Sequence, residues 1–381
     1  MTSSAPHAVV PSVPFLDLRA AYLELRDEID IAVRRVLDSG WYLLGNELTF
    51  FETAFASYVG TPHALGVANG LDALELMLAA MGVGAGDEVI VPSNTYIATW
   101  LAVTALGATP VPVEPDPSTY NIDPARISAA ITARTRVILP VHLYGQPADM
   151  DPIMAIAEAH GLKVLEDAAQ AHGARYRGRR AGALGHGAAW SFYPGKNLGA
   201  FGDGGGVTTC DAALADFVRV ARNYGSRIKY SNEIQGTNSR LDEVQAAVLS
   251  VKLACLDTWN ARRTVQAERY LAALKDLPIG LPTVPGWAEP AWHLFVIRVP
   301  GGEAGRAGLQ NHLSACGVGT LIHYPTPPHR QRAYINLGFS ADAFPIASIL
   351  ADEMVSLPVG PHLTGPQQDQ VIAAVRSFFS V

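Results

Sequence analysis

Lys196 lies in the stretch Trp190-Ser191-Phe192-Tyr193-Pro194-Gly195-Lys196-Asn197-Leu198-Gly199, with Gly202-Asp203-Gly204-Gly205-Gly206 close behind. The apolar run ending at Phe192 or Tyr193 reads as a strand, so the lysine sits in the glycine-rich turn that leaves it. Most lysines are solvated surface charges. An amine held at the end of a buried strand differs: desolvation lowers its pKa and makes it a nucleophile toward carbonyls, a candidate Schiff-base lysine. Two phosphate-binding motifs do not fit here. A Walker loop needs a glycine where Trp190 stands and a Ser or Thr where Asn197 stands, and the dinucleotide fingerprint needs a glycine where Val207 stands.

Three further stretches carry chemistry beside the lysine. In Lys163-Val-Leu-Glu-Asp167-Ala-Ala-Gln170-Ala-His172-Gly173, apolar residues lead to Asp167 at a strand's carboxyl end. Such an Asp can be a turn or cap residue; buried, it calls for a cation, because an unpaired buried carboxylate is costly. Asn69-Gly70-Leu71-Asp72 turns a strand into a helix, whose free N–H groups make an anion site. Tyr96, in Pro92-Ser-Asn94-Thr-Tyr96, is either core or a flat face for a ring. Each stretch alone is weak. Together they specify an aromatic, phosphorylated, aldehyde-bearing cofactor, with a lysine for the aldehyde, an aspartate for the ring nitrogen and a helix start for the phosphate. That is pyridoxal phosphate, an electron sink for a carbanion.

The elements that must hold these groups alternate. Strand-like runs span His63–Ala68, Glu88–Ser93, Thr109–Glu114, Arg136–His142, Lys163–Asp167, Ala188–Tyr193 and Gly205–Cys210. Between them, Leu71, Leu74, Met77, Leu78 and Met81 share one helix face, and Pro152–His160 and Ala212–Arg222 also read as helices. This predicts an α/β fold with a mostly parallel seven-stranded sheet covered on both faces, its ligands beyond the strands' carboxyl ends. After that come one long helical stretch, Leu241–Leu274, a strand at His293–Val299, a helix at Ala304–Cys316, a strand at Val318–Tyr324 and a closing helix near Pro366–Phe379. We read a large cofactor-binding domain with an N-terminal arm over residues 1–250 and a small α+β domain over residues 251–381.

Composition narrows the classes. The chain has 381 residues, 28 Lys+Arg against 35 Asp+Glu and a net charge of -7, so nothing suggests a nucleic-acid partner. No apolar stretch is long enough for a membrane span. Met1–Pro14 has neither the basic nor the apolar region of a secretory signal. Cys210, Cys255 and Cys316 form no C-x-x-C pair, which argues against a disulfide scaffold and a structural zinc site. These features predict a cytoplasmic protein without a metal. Charged residues reach only 17%, against roughly 25% in an average domain, which leaves room for surface covered by another subunit.

At this point the motifs become familiar. Glu166-Asp-Ala-Ala-Gln-Ala-His172, Ser191-Phe-Tyr-Pro-Gly-Lys196, Arg222-Asn-Tyr-Gly225 and Gly236-Thr-Asn-Ser-Arg240-Leu-Asp-Glu resemble the DegT/DnrJ/EryC1 sugar aminotransferases, within the aspartate-aminotransferase-like fold (fold type I). The resemblance runs from Val13 to Phe379. Asn94-Thr-Tyr-Ile-Ala-Thr-Trp100 and His142-Leu-Tyr-Gly-Gln-Pro-Ala-Asp149 look most like the enzymes that aminate C3 of dTDP-3-keto-6-deoxyhexoses for antibiotic or surface-glycan sugars.

The resemblance implies roles. Lys196 would bind the cofactor covalently and shuttle the proton, with the cofactor passing through its pyridoxamine phosphate form. Asp167 would meet the pyridine nitrogen and Gln170 the ring hydroxyl. Ser191 and the backbone at Gly70 and Leu71 would hold the phosphate, and Tyr96 would stack on the ring. Many members have a Ser or Thr where Leu71 stands, so here only its N–H can help. Asn238 would reach the phosphate in the other subunit of a homodimer with shared sites. Tyr193, Tyr230, Arg240 and His323 would lie near the substrates, L-glutamate and a nucleotide-linked keto sugar. His323-Tyr324-Pro325 with His329 nearby could suggest a metal, but a substrate contact or a structural role fits better. The alternatives are a 4-keto nucleotide-sugar aminotransferase, an aminohydroxybenzoate synthase-like enzyme, a dehydratase and a non-enzymatic regulator. The dehydratases of the family have His in place of the lysine, and a pure binding module needs none of the set Lys196, Asp167, Gln170 and Ser191.

Overall fold

The β-branched and apolar runs form the expected sheet. The computed structural model describes residues 13–380; the part of Met1–Pro14 before Val13, read above for signal features, lies outside them. The strands are β1 (His63–Val67), β2 (Glu88–Pro92), β3 (Thr109–Val113), β4 (Thr135–Ile138), β5 (Lys163–Asp167), then the short pair β6 (Arg175–Tyr176) and β7 (Arg179–Arg180), then β8 (Gly187–Ser191) and β9 (Gly205–Thr209). The main sheet has seven strands in the order β1-β9-β8-β5-β4-β2-β3. All its neighbours run parallel except β9, which is antiparallel to both β1 and β8. The carboxyl ends of β5 and β8 therefore lie side by side, which brings Asp167 and the turn after Ser191 together.

Helices cover both faces of this sheet. In chain order they are α1 (Leu18–Glu24), α2 (Arg26–Ser39), α3 (Asn46–Val59), α4 (Gly70–Ala80), α5 (Ile97–Ala105), α6 (Pro124–Ala130), α7 (Met150–His160) and α8 (Ala212–Ala221). Leu74, Met77, Trp100, Val103 and Val218 pack one face; Phe51 and Phe55, with Ile127 and Ile153, pack the other. Burying each such side chain stabilises the fold by about 1.5–3 kcal/mol. No helix among the described residues is long and apolar enough to cross a membrane.

The predicted single helix over 241–274 is two: α9 (Glu243–Leu253) and α10 (Leu256–Leu274), broken at Ala254-Cys255. The reason is packing. Ala246, Ala247 and Leu249 of α9 face α2 and α3, whereas Ala267, Tyr270 and Leu274 of α10 face a separate C-terminal core. One straight rod cannot bury both stripes. Beyond β10 (Ser226–Ile228), β11 (Ser231–Asn232) and β12 (Ala288–Glu289), that core holds β13 (Phe295–Arg298) paired antiparallel with β14 (Met354–Leu357). Helices α11 (Gly302–Ala315), α12 (Pro345–Glu353) and α13 (Gly365–Phe379) complete the chain.

The strand expected at Val318–Tyr324 does not form. Val318 bridges Val13 in parallel and Leu321 bridges Ser356 antiparallel, so the segment serves two neighbours and builds a ladder with neither. Gly319 allows the close approach, because a Cβ there would lie 3.0 Å from the Phe15 nitrogen.

One carboxylate fastens α9 to α3. Glu243 is buried, and it accepts the N–H groups of Gly45 at 2.7 Å, Glu47 at 2.9 Å and Leu48 at 3.2 Å, all at the head of α3. Glu243→Ala leaves those donors without acceptors and should cost about 3 kcal/mol, read as a lower urea midpoint at unchanged slope. A cost below about 1 kcal/mol would show that water replaces the carboxylate.

Candidate active site

The lysine turn is rigid for local reasons. β8 ends at Ser191, and the chain folds back so that Lys196 N–H donates to Tyr193 O at 2.9 Å and Ala200 N–H to Phe192 O at 2.8 Å. Leu198 and Ala200 are buried beneath it. Burial pulls the Lys196 amine down to about 8, opposed by the negative charge of Asp167. The group is therefore partly neutral near physiological pH, as a nucleophilic amine requires.

Asp167, at the end of β5, is buried and receives only neutral donors: Thr99 Oγ1 donates to Oδ2 at 2.9 Å and Ala169 N–H to Oδ1 at 3.2 Å. Burial pushes its pKa up, and the Thr99 and Ala169 bonds and the charge on Lys196 act against that. A carboxylate in this position favours a cation brought in from outside, which fits a protonated ring nitrogen. Sequence reasoning missed Thr99. Its hydroxyl lies 2.9 Å from that of Thr95, which precedes α5.

Glu166, next to Asp167, faces the opposite way. It accepts Gly182 N–H at 2.7 Å, Leu184 N–H at 2.8 Å and Gly185 N–H at 2.7 Å. His142 Nδ1 accepts Ala148 N–H at 3.0 Å, so its Nε2 carries the hydrogen and donates to Glu166 at 2.8 Å. Burial raises the Glu166 pKa, but the His142 and backbone donors outweigh it and hold the carboxyl below its ordinary value. Glu166 is thus a structural anchor for the strand that carries Asp167.

Gln170 is oriented from both ends. Its Oε1 accepts Tyr144 N–H at 2.6 Å and its Nε2 donates to the Tyr324 hydroxyl at 2.9 Å, leaving a second amide hydrogen for a ring hydroxyl. The Tyr324 ring lies 5.0 Å from that of Tyr96, tilted by 38°. Tyr324, quoted in the sequence only as part of His323-Tyr324-Pro325, thus meets both Gln170 and Tyr96.

The phosphate cradle is narrow. Asn69 caps α4, its side chain accepting Asp72 N–H at 2.9 Å, so the Gly70 and Leu71 N–H groups stay outside the helical ladder. A Cβ on Gly70 would stand 2.8 Å from Ser191 Cβ, and one on Gly205 would stand 2.3 Å from the Asn69 carbonyl. Ser191 Oγ accepts Tyr193 N–H at 3.3 Å, which keeps its own hydrogen available. Two backbone N–H groups and a hydroxyl close together at a helix start suit a phosphate.

Lys196, Asp167, Gln170, Ser191, Gly70, Leu71 and Tyr96 therefore gather at one end of the sheet. His323 is near enough for the Lys196 charge to act on it: burial first, then Lys196, holds its pKa down to about 4. Its Nδ1 meets Ser356 Oγ at 2.8 Å, whereas His329 lies apart, against Ala341 O at 3.4 Å. Tyr193 is exposed on the lysine turn. Among the described residues, no contact links three other predicted residues to this group. Tyr230 is 89% exposed between β10 and β11, Asn238 bridges Asn223, and Arg240 donates to Asn223 Oδ1 at 3.2 Å.

The chain is similar to known proteins over nearly its whole length. Residues 24–376 match the DegT/DnrJ/EryC1/StrS aminotransferase family. The erythromycin biosynthesis sensory transduction protein EryC1 of Saccharopolyspora erythraea is 59% identical over 366 residues, 96% of this chain and 99% of that protein. The dTDP-3-amino-3,4,6-trideoxy-alpha-D-glucose transaminase of Streptomyces venezuelae is 58% identical over 372 residues, 97% of each chain. The crystal structure of S. venezuelae DesV superposes with a TM-score of 0.95 at 57% identity, covering 97% of this chain and 99% of that one.

The burial of Lys196 is testable in protein stripped of cofactor. Amine-directed labelling of Lys196, followed by peptide mass spectrometry, should rise with a midpoint near pH 8, where its amine is held at about 8. Surface lysines should follow near pH ~10.4. Asp167→Asn removes the opposing charge and should move the Lys196 midpoint lower. A midpoint shared with the surface lysines would refute the burial argument.

Proposed function

This chain belongs to the DegT/DnrJ/EryC1/StrS aminotransferase family, and from that premise we propose that it moves the amino group of L-glutamate to C3 of a dTDP-linked 3-keto-6-deoxyhexose, in deoxyamino sugar biosynthesis. The reading is carried by near-full-length similarity to a dTDP-3-amino-sugar transaminase in a chain that assembles Lys196, Asp167 and the Gly70–Ser191 cradle. A regulator would need none of these groups, so the name of the EryC1 relative does not alter the reading.

The cofactor is pyridoxal phosphate. When bound, it supplies an aldehyde that condenses with amines and a ring that takes up an electron pair. The protein does the rest. Gly70 and Leu71 N–H and the Ser191 hydroxyl hold the phosphate. Asp167 would hold a proton on the ring nitrogen. Gln170 points its remaining N–H at the ring hydroxyl, and Tyr96 offers a face. The Lys196 amine would anchor the cofactor and, while free, would take the donor's α-proton and hold it for return. The same groups would serve the keto sugar.

The site is completed by a second copy. Asn238 is exposed and bridges Asn223, and Trp41, Phe50 and Tyr230 are exposed at 64%, 64% and 89%. A homodimer would cover such surface and bring Asn238 to the partner's phosphate, with Tyr230, Arg240, Tyr193 and His323 around the sugar nucleotide. We place the enzyme in the cytoplasm. We divide it at residues 250/251, near the Ala254-Cys255 break, into a cofactor domain and a small C-terminal domain.

Coupled turnover with 3-keto and 4-keto dTDP-sugars, glutamate as donor, should favour the 3-keto isomer; preference for the 4-keto isomer overturns the substrate assignment. Lys196→Ala and Asn238→Ala subunits, each inactive alone, should regain activity on mixing. No recovery would count against shared sites.

A further inference from the structure

Asn197, the residue after Lys196, is buried, and its amide is fixed from three sides. Its Nδ2 donates to Asn260 Oδ1 at 2.9 Å and to Ala291 O at 2.7 Å. Those bonds settle which end of the amide is nitrogen, so Oδ1 faces His293 Nδ1 at 3.2 Å and can only accept. His293 therefore carries its hydrogen on Nδ1, and its Nε2 makes no hydrogen bond among the described residues.

The backbone around His293 is tied to the same site. Ala291 N–H donates to Gly145 O at 2.8 Å and Leu294 N–H to Tyr144 O at 3.2 Å. Tyr144 is the residue whose own N–H orients Gln170. Arg263 of α10 donates to Trp292 O at 3.2 Å and to Val359 O at 3.2 Å. Residues 291–294 thus splint together two turns, the one bearing Lys196 and the one orienting Gln170.

We infer that His293 is a positioning residue for Lys196: through its Nδ1–H it locks the Asn197 amide and with it the turn that aims the amine. The inference rests on the reading that Lys196 carries the cofactor. The charged or titratable groups acting on His293 are Lys196, Arg263, His323 and His172, with no carboxylate among them. Burial and those groups keep its ring neutral, so the bond to Asn197 persists through the pH range in which Lys196 changes charge. A turn held this way matters because a small misplacement of a reacting group costs a large factor in rate.

Two substitutions in the holoenzyme separate this role from a general packing role. His293→Phe keeps a ring and removes both nitrogens. His293→Asn puts its Nδ2–H where Nδ1–H stood and drops the far side of the ring, Cε1 and Nε2. In H293F, the pH midpoint of the bound cofactor's absorbance band should shift by about one unit and kcat fall about ten-fold, with the sugar KM within about two-fold. H293N should stay within about 0.3 unit of the parent. The inference fails if H293F matches the parent, or if H293N is displaced as far as H293F. Should H293F not fold, Asn197→Ala takes its place: a shift in N197A with none in H293N supports the lock, and any other pairing overturns it. Borohydride reduction of the parent keeps the two readings apart. Label on a lysine other than Lys196 sinks the function reading, whereas label on Lys196 with coincident absorbance midpoints sinks only the positioning role.

Discussion

The constraint on which the site depends is a buried carboxylate given only neutral hydrogen-bond donors. Asp167 is held at a strand end by a hydroxyl and a backbone N–H. In a low-dielectric setting this leaves a negative potential that attracts a proton or a cation. The same potential reaches Lys196 and opposes the effect of burial on its amine. Acid and amine are thus coupled before anything binds. A protonated ring nitrogen would relieve the carboxylate and weaken its hold on the lysine, so binding and activation of the amine favour each other.

Keeping such a carboxylate in place takes a stiff support, and the support is made of polar groups whose bonds are nearly all used. Glu166, one residue back, collects three backbone N–H groups and the His142 imidazole. Because successive strand residues point to opposite faces, Glu166 anchors β5 from beneath while Asp167 looks into the site. Gln170, Asn197 and Asn69 follow the same logic: each amide has its orientation set by named partners. The parallel strand order delivers the groups to one end, and the antiparallel β9 brings Gly205 against Asn69 closely enough to shape the cradle.

Much of this was legible in the sequence where one residue type and one local pattern sufficed. The strand runs, the strand-to-helix turn at Asn69-Gly70, the lysine turn and the Asp167 strand end are local events, and they fall where periodicity and glycine spacing put them. What stayed hidden depended on partners distant in the chain. The break between α9 and α10 follows from two separate cores competing for one helical stretch. The lost strand at Val318–Tyr324 follows from two neighbours, Val13 and Ser356, each claiming one residue. Thr99 and Tyr324 carry no distinctive motif; only the fold sets a hydroxyl of one on Asp167 and the ring of the other on Tyr96. Asn238 and Tyr230 came from resemblance alone, and a single chain leaves them at the surface.

The cradle at the head of α4 has a consequence for how this enzyme can drift in sequence. Two of its three proposed phosphate donors are main-chain N–H groups, and the side chain at one of those positions is a leucine. A donor belonging to the backbone survives nearly every point substitution, since only proline deletes it. Substitution at Leu71, whose side chain packs against the core beneath α4, therefore disturbs packing without removing what grips the anion. Gly70 is limited differently, because any side chain there meets Ser191. The cradle thus pairs one position limited by the core with one limited by its facing strand, side by side on the same turn.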